Sequence, residues 1–298
     1  MIDYRKIIKN RELRLKLISM LSWIPDKPYL KMVYRIKTGR KLNLERPVGF
    51  NEKLNWLKLH DIHPEYTQLV DKLQVRAYIA RVLGEEYLFP LYGAWESFDQ
   101  IDFDALPNEF VLKCNHDSGS VKIIRDKSKM DHKAMRRFFE GRLKRNPFYD
   151  SREYPYKNVT PCIMAEQLMK DADNAAELKD YKFFCFGGKP QFLYLSEGLA
   201  NHDTARINYL TLDWKKAPFT RADFAELDVL PPKPATFEKM LEICEAVSKD
   251  MPFVRVDLYD VNGQIYFGEF TFFPGGGYTI MSPETWEKKL GDMIPLDI

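Results

Sequence analysis

The chain is poor in the residues from which compact metal sites and nucleophilic catalysts are built. Its 298 residues include only four cysteines and five histidines. The cysteines (114, 162, 185 and 244) lie 48, 23 and 59 residues apart and form no CxxC pair, so free thiols in a reducing compartment fit better than a disulfide framework. Neither HExxH nor a histidine–cysteine cluster at zinc spacing occurs. The absence of GxxxxGKS or GxxxxGKT leaves a P-loop unsupported, and Gly275-Gly276-Gly277 is no dinucleotide turn because no βαβ unit follows it. No apolar run approaches the ~20 residues of a membrane span. The opening Met-Ile-Asp-Tyr-Arg-Lys is charged where a secretory leader turns apolar. Charge of one sign is also missing: 45 Lys+Arg against 43 Asp+Glu leave +2, too little to hold nucleic acid by bulk electrostatics alone. These absences predict a soluble, cytoplasmic protein with no nucleic-acid partner.

What is present is a large apolar inventory, 45% hydrophobic with 14% aromatic, which excludes a disordered chain and suffices for one large or two modest domains. The near-neutral total hides an asymmetry. Residues 1–41 hold twelve Lys/Arg and three acids, a net of +9, so residues 42–298 carry −7. Such a basic head is by default a solvated helical face. With Trp23 and leucines nearby, it also suits a peripheral contact with anionic lipid or a glycolipid pyrophosphate at the inner face of the membrane.

The first hundred residues read as helical. Leu13, Leu17, Ile18 and Leu21 recur at helical spacing over Arg11–Trp23 until Pro25. A second helix is predicted at Tyr29–Thr38, closed by Gly39, and a third over Phe50–Leu59 with Asn51 as its cap. A fourth runs from Thr67 to Leu83, ending at Gly84. Beyond Pro90 the texture turns β-prone: Phe110–Cys114 and Val121–Ile124 flank Asn115-His116-Asp117-Ser118-Gly119-Ser120. A basic helix over 132–146 carries Arg136, Arg137, Arg142, Lys144 and Arg145, and a Tyr/Pro-rich loop (147–161) leads to a strand at Cys162–Met169. Asp180–Phe186 and Gln191–Ser196 form a hairpin, Phe237, Met240, Leu241, Cys244 and Val247 mark a helix, and strands follow at 253–259 and 264–272. Helices segregated from hairpin-linked strands predict an α+β fold. The chain divides on this reading into a basic helical region (1–65), a helical linker with a small β-rich subdomain (66–161) and a C-terminal subdomain (162–298).

The last hairpin is the most informative stretch, and its register decides its meaning. A two-residue turn at Asn262-Gly263 pairs 256 with 269 and sends Asp257 and Glu269 to opposite faces. A three-residue loop, 261–263, pairs 255 with 269 and 257 with 267. The second register collects Arg255, Asp257, Glu269 and Thr271 on one face. It leaves Val254, Val256, Leu258, Tyr266, Phe270 and Phe272 on the other, so it is preferred. Two carboxylates facing one space need a cation or proton between them. Hard oxygen ligands beside an arginine suit Mg²⁺ on a polyphosphate. A surface Arg–Asp–Glu ladder is the competing explanation.

Asp257 on a strand followed by Glu-Phe-Thr-Phe-Phe-Pro-Gly at 269–275 resembles the metal-binding end of ATP-grasp enzymes. More closely, the chain resembles the TupA-like branch, associated with bacterial polysaccharide and teichuronopeptide biosynthesis. Five blocks carry the likeness: Arg46–Lys53, Leu69–Lys72, Phe110–His116, Asp180–Phe186 and Gly268–Phe272. The resemblance implies an ATP-grasp fold, two β-rich subdomains clamping ATP behind an N-terminal helical region, with ATP and Mg²⁺ as cofactors. It implies that Asp257 and Glu269 hold Mg²⁺, with Thr271 standing where the superfamily has Asn, and that Arg255 faces the transferring phosphate. Lys113 matches the lysine that reaches the nucleotide phosphates, which Ser118, Gly119 and Ser120 would meet with backbone N–H groups. At Asp117 the family pattern has Gly, and an acid beside triphosphate is unfavourable unless it points away. Glu166, Gln167, Leu168 and Met169 would line adenine. Asp180 would accept the ribose hydroxyls and Lys182 reach the phosphates.

Other residues have competing readings. Lys72 and Arg76 on a predicted helix are acceptor-site candidates or a solvated face. His116 touches phosphate or substrate, or braces its loop. Arg206, after His202-Asp203-Thr204, is a candidate carboxylate clamp, and Cys114 and Cys185 are core thiols. The implied reaction is ligation of a carboxylate to an amine through an acyl phosphate, on a uronic acid or peptide of a cell-surface polysaccharide precursor. The alternatives are a metal-dependent glycosyltransferase and a non-catalytic nucleotide- or membrane-binding module.

Overall fold

A computed structural model describes residues 20–171, 178–197, 205–221 and 223–296. The helix expected over Arg11–Trp23 lies outside the described residues up to position 19. In chain order the elements are α1 (Asp26–Thr38), α2 (Phe50–His60), α3 (Glu65–Val70), α4 (Val75–Val82), β1 (Leu91–Trp95), β2 (Phe110–Cys114), β3 (Lys122–Ile124), α5 (His132–Leu143), β4 (Ile163–Glu166), β5 (Lys179–Phe186), β6 (Lys189–Glu197), β7 (Arg206–Thr211), β8 (Thr220–Arg221), α6 (Phe237–Ser248), β9 (Phe253–Val261), β10 (Gln264–Thr271), β11 (Met281–Ser282) and α7 (Thr285–Asp292). The chain combines helices with antiparallel sheets, as an α+β fold requires. No helix among the described residues is long and apolar enough to cross a membrane.

The chain forms two units. One comprises Met1–Ile62, Tyr149–Glu153 and Lys179–Ile298; the other comprises His63–Phe148 and Tyr154–Leu178. The sequence reading cuts the chain once at 65/66 and once at 161/162. The N-terminal helices instead share a unit with the C-terminal strands, because Phe50 of α2 packs its ring on Phe184, Phe186 and Phe253 at centroid distances of 6.4, 6.0 and 5.1 Å.

The first unit is built on a five-stranded sheet of order β10-β9-β5-β6-β7. One face carries Phe183, Val254, Val256, Leu258 and Phe270, all buried, under α6, whose Phe237 meets Phe183 at 5.8 Å. The other face begins with the aromatic cluster under α2 and continues into charged residues. The second unit holds a four-stranded sheet of order β1-β4-β2-β3. Phe98, Phe110, Leu112, Phe139, Ile163 and Ala165 belong to its core. All four cysteines are free and buried. Burial pushes the Cys114 and Cys162 thiols up to about 12, which suits core thiols and disfavours nucleophiles.

Several expectations are corrected. The helix expected at 67–83 is two helices, because the Asp71 carboxylate accepts the N–H groups of Leu73 and Gln74 at 2.9 and 3.3 Å and restarts the chain as α4. Asn51 does not cap α2. Gly49 does, and Glu52 reaches back to the N–H groups of Val48 and Gly49 at 2.9 and 3.1 Å. Of the arginines on the basic helix, Arg142 is buried.

The hairpin turn is also corrected. Asn262 and Gly263 both have positive φ (55° and 82°), and Val261 pairs with Gln264 across a two-residue turn. The one-residue slip that unites Asp257 with Glu269 occurs later. Phe267 pairs with Leu258 and Glu269 with Asp257, leaving Gly268 as an extra residue. A side chain there would meet the Tyr259 ring at 2.8 Å and the Asp257 carbonyl at 3.0 Å. Tyr266 therefore pairs with Tyr259 on the polar face, and Phe267 takes the apolar position opposite Leu258.

Candidate active site

The five-stranded sheet aligns the candidate side chains by register. Tyr194 on β6 pairs with Lys182 on β5, Lys182 with Asp257 on β9, and Asp257 with Glu269 on β10. These four side chains form a row across four strands. Arg255 pairs with Thr271, and Asp180 lies two residues from Lys182, so both share the face.

Lys182, Arg255 and Asp257 are buried and interlocked, with Glu269 half-buried beside them. Arg255 donates from Nε to Asp257 Oδ1 at 2.6 Å and from Nη2 to Oδ2 at 2.6 Å, a bidentate fork. Its Nη1 donates to the Tyr194 hydroxyl at 3.2 Å, and Glu269 lies 3.5 Å from Nη2. Lys182 donates to Asp257 Oδ2 at 2.8 Å and also to Asp180. Burial opposes the charge on Lys182, but Asp180 and Asp257 outweigh it and hold its pKa well above the ordinary lysine value. Burial pushes the Asp180 carboxyl up to about 6 despite Lys182, with Asp257 adding repulsion. Asp180 Oδ1 is buried without a hydrogen-bond partner, an acceptor the fold leaves for something else.

Among the described residues no group of three or more His, Cys, Asp and Glu could hold a metal ion. The oxygens of Asp257 and Glu269 nonetheless fit Mg²⁺, which takes one or two carboxylates and completes its octahedron with waters and substrate phosphates. Thr271, two residues beyond Glu269, offers a hydroxyl on the same face.

The second unit has its own cluster. Lys113 at the end of β2 meets Glu166 Oε2 at 2.6 Å, and Arg76 on α4 lies 3.7 Å from Oε1 while donating to the Phe89 carbonyl at 3.0 Å. Val111 and Glu166 are cross-strand partners. The Gln167 N–H donates to the Pro90 carbonyl at 2.9 Å, and Gln167 is exposed with Leu168 and Met169 half-buried beside it.

The loop after β2 is braced from within. Asn115 donates to Asp71 Oδ1 and the Thr160 carbonyl, both at 2.9 Å, and accepts the Cys162 N–H at 2.8 Å. Asp117 turns inward, bonding the Ser120 hydroxyl and lying 3.5 Å from Arg142 Nη1. Its carboxylate therefore points away from any ligand at Ser118-Gly119-Ser120, where Gly119 has φ 84°. Ser120 accepts the Cys114 N–H at 3.1 Å. His116 is buried between Asn115 Oδ1 and the Arg142 carbonyl, both at 3.3 Å, and burial lowers its pKa. Lys72 donates to the Asp117 carbonyl at 3.0 Å.

The structure thus joins Asp180, Lys182, Arg255, Asp257, Glu269 and Thr271 in one unit, and Lys72, Arg76, Lys113, His116, Ser120 and Glu166 in the other. Arg206 is not brought into the row. Alternation along β7 puts it on the opposite parity from Tyr209, the partner of Tyr194. It donates to the Glu226 carbonyl at 2.8 Å and to Asp228 at 3.1 Å. His202-Asp203-Thr204 lie outside the described residues. Sequence reasoning missed Tyr194. A plain hairpin count from Gly187-Gly188 pairs 182 with 193, but an irregularity between Phe184 and Cys185 shifts the partner to Tyr194. It also missed Asp71 and Asn115, whose legible signal was the Asx side chain at a helix restart and a strand end.

A family model described as TupA-like ATPgrasp matches residues 52–295. No curated protein matches the chain. Among solved structures, the D-alanine–D-alanine ligase of Bacillus anthracis aligns at 16% identity over 83% of this chain and 69% of its own, with a TM-score of 0.40. That of Helicobacter pylori aligns at 10% identity over 83% and 67%, TM-score 0.45. An N5-carboxyaminoimidazole ribonucleotide synthetase in its ADP complex aligns at 11% identity, TM-score 0.41, over 74% of this chain, which spans 50% of that protein.

Proposed function

Since the chain belongs to the TupA-like ATP-grasp family and is an ATP-grasp ligase, we propose that it joins a carboxylate to an amine on a cell-surface polysaccharide precursor, a uronic acid or peptide taking an amino acid or other amine. The observation that supports this reading is the row Glu269–Asp257–Lys182–Tyr194 with Arg255 beside it. Asp257 and Glu269 would hold Mg²⁺, which when bound screens and orients phosphate oxygens. Lys182 and Arg255, fixed by Asp257 before any ligand arrives, would stabilise charge on the transferring phosphoryl group without reorganising. The unfilled Asp180 Oδ1 would accept a ribose hydroxyl. Lys113, steadied by Glu166, would neutralise phosphate, and backbone at Ser118, Gly119 and Ser120 would bind it. Leu168 and Met169 would face the base. Lys72, Arg76 and His116 would act on the acceptor side by bracing these elements.

In the chemistry, a carboxylate oxygen attacks the γ-phosphorus and the bond to ADP breaks, giving an acyl phosphate. The amine nitrogen then attacks the acyl carbon, phosphate leaves with the C–O bonding pair, and the nitrogen gives up a proton to solvent. No protein nucleophile is needed, in keeping with buried Cys114 and Cys185. Exposed Met20 and Trp23 (66% and 78%) beside exposed Lys27, Lys31 and Arg35 support a peripheral contact of the N-terminal region with anionic lipid at the cytoplasmic membrane face.

A screen of uronic acids against amino acids tests the reaction, with ADP release that requires both partners as the expected result. In Glu269→Gln that release should disappear while the unfolding midpoint holds. UDP release without ATP consumption would replace the ligase with a glycosyltransferase. Binding to anionic vesicles that weakens with salt checks the membrane contact.

A further inference from the structure

Strand β10, which carries Glu269 and Thr271, runs into a turn that the strand itself does not hold. Gly275, Gly276 and Gly277 have φ of 60°, 68° and 72° in succession, a conformation with no side-chain support and a high entropic cost of ordering. The support comes from α2. Asn51, Asn55 and Lys58 recur at i, i+4 and i+7, one face of a helix, and each donates to a backbone carbonyl of this turn. Asn51 Nδ2 meets the Thr279 carbonyl at 2.5 Å, Asn55 Nδ2 the Gly277 carbonyl at 2.7 Å, and Lys58 Nζ the Gly276 carbonyl at 2.6 Å. All three side chains are buried.

Lys58 does more than the two amides. Its ammonium also donates to Asn55 Oδ1 at 3.1 Å and to the Ser151 carbonyl at 2.9 Å, so its three protons meet three acceptors. Ser151 belongs to a segment that is itself pinned. Arg152 donates to the Leu21 and Ile24 carbonyls at 3.1 and 3.2 Å and meets Asp26 at 2.9 Å, while the Tyr29 hydroxyl donates to the Tyr149 and Asp150 carbonyls. Burial pulls the Lys58 ammonium down to about 7, against the raising effect of Glu153. A buried lysine costs stability unless it is fully bonded, and an apolar residue would suit a helix that needed only packing.

We propose that Lys58 is a positioning residue for the ligase reaction: it ties the Gly275–Gly277 turn to the pinned 149–153 segment and so fixes the end of β10 that presents Glu269 and Thr271. The inference rests on the ligase reading above. It assigns the buried polar face of α2 to turnover rather than to packing. Loss of the tie lets the turn relax while the row of charges on β5 and β9, bonded among themselves, keeps its geometry.

The test uses Lys58→Met, which keeps the stem and removes the donors, and Gly276→Ala, whose new Cβ would meet the Tyr278 ring at 3.2 Å and Ser151 Cβ at 3.4 Å from the other side of the same contact. Turnover should fall roughly 10- to 100-fold in each, with the dissociation constant for the nonhydrolysable Mg²⁺–ATP analogue AMP-PNP changed less than about twofold. The double variant should be no worse than the poorer single, since both break one contact. Amide exchange should speed up in residues 272–281 and stay unchanged in 253–261. If Lys58→Met does not fold, Asn55→Ser takes its place: it removes the amide that holds the Gly277 carbonyl and accepts one Lys58 proton, and leaves Lys58 on the Gly276 and Ser151 carbonyls. Unchanged exchange at 272–281, or turnover, AMP-PNP affinity and folding falling together in all variants, overturns the proposal. Faster exchange confined to the turn in a protein whose wild type makes no ADP supports the tie and overturns the ligase reading alone.

Discussion

The two clusters solve opposite problems with similar residues. On the five-stranded sheet, strand register brings three carboxylates, a lysine and an arginine onto one face, and charge is balanced by charge: Arg255 and Lys182 share Asp257. Asp180 is left with one oxygen unbonded and its pKa raised. In the second unit the loop after β2 is held by side chains bonding backbone, Asn115 and Lys72 foremost, and its acid Asp117 is spent on Arg142 and Ser120. The sheet cluster keeps a buried acceptor open among its charges, whereas the loop's side chains are engaged in holding its backbone in shape. The difference teaches that a cationic partner alone does not mark a site: Asp117 beside Arg142 braces its loop, whereas Asp180 beside Lys182 keeps an acceptor open.

The contrast is broken most sharply by Asp257→Asn. It leaves Lys182 and Arg255 as buried cations short of an acceptor, so urea unfolding should show a loss of about 3–5 kcal/mol, and ADP release should vanish. Next comes pH. Asp180 titrates near 6 in the folded protein, above its ordinary value, so it contributes stability that is full below pH ~4 and lost as pH rises through about 6. The stability of the wild type relative to Asp180→Asn should therefore fall by about 2–3 kcal/mol between pH 4 and pH 8. Asn115→Ala tests the other side of the comparison. Stranding the Cys162 N–H and the Thr160 carbonyl and removing one donor from Asp71 should cost about 1–3 kcal/mol, with amide exchange faster at 71–75 and 114–120 and no change in β5 or β9. The smallest effect belongs to Arg206→Ala, a half-exposed pair with Asp228 at the end of β7. It should shift stability by less than about 0.5 kcal/mol and leave turnover untouched.

Much of this arrangement is legible in the chain and some of it is not, for identifiable reasons. Alternation in Phe253–Tyr259 separates Arg255 and Asp257 from Val254 and Val256 whatever the turn does, so the polar and apolar faces could be read directly. The union of Asp257 with Glu269 could also be anticipated, though by the wrong device. The slip sits at Gly268, where Tyr259 and the Asp257 carbonyl leave no room for a side chain, and not at Asn262-Gly263. The same kind of slip, at Gln191 beyond the Gly187-Gly188 turn, hid Tyr194. Bulges follow from packing around a strand, which adjacent residues do not record.

By itself the sequence determined the elements with local causes. Gly39 ends α1, Pro-flanked and amphipathic runs form α2 and α6, alternating runs form the strands, and the resemblance at the last hairpin places an acid on β9 and another on β10. Only the tertiary structure decided what those acids face. It buried Asp71, Asn115 and Asp117 as braces, turned Arg142 inward, left Asp180 an open oxygen, and joined α2 to the turn behind Glu269. Local sequence sets propensity and periodicity within a few residues, whereas burial and hydrogen-bond completion depend on partners as far apart as Lys58 and Gly276, 218 residues along the chain.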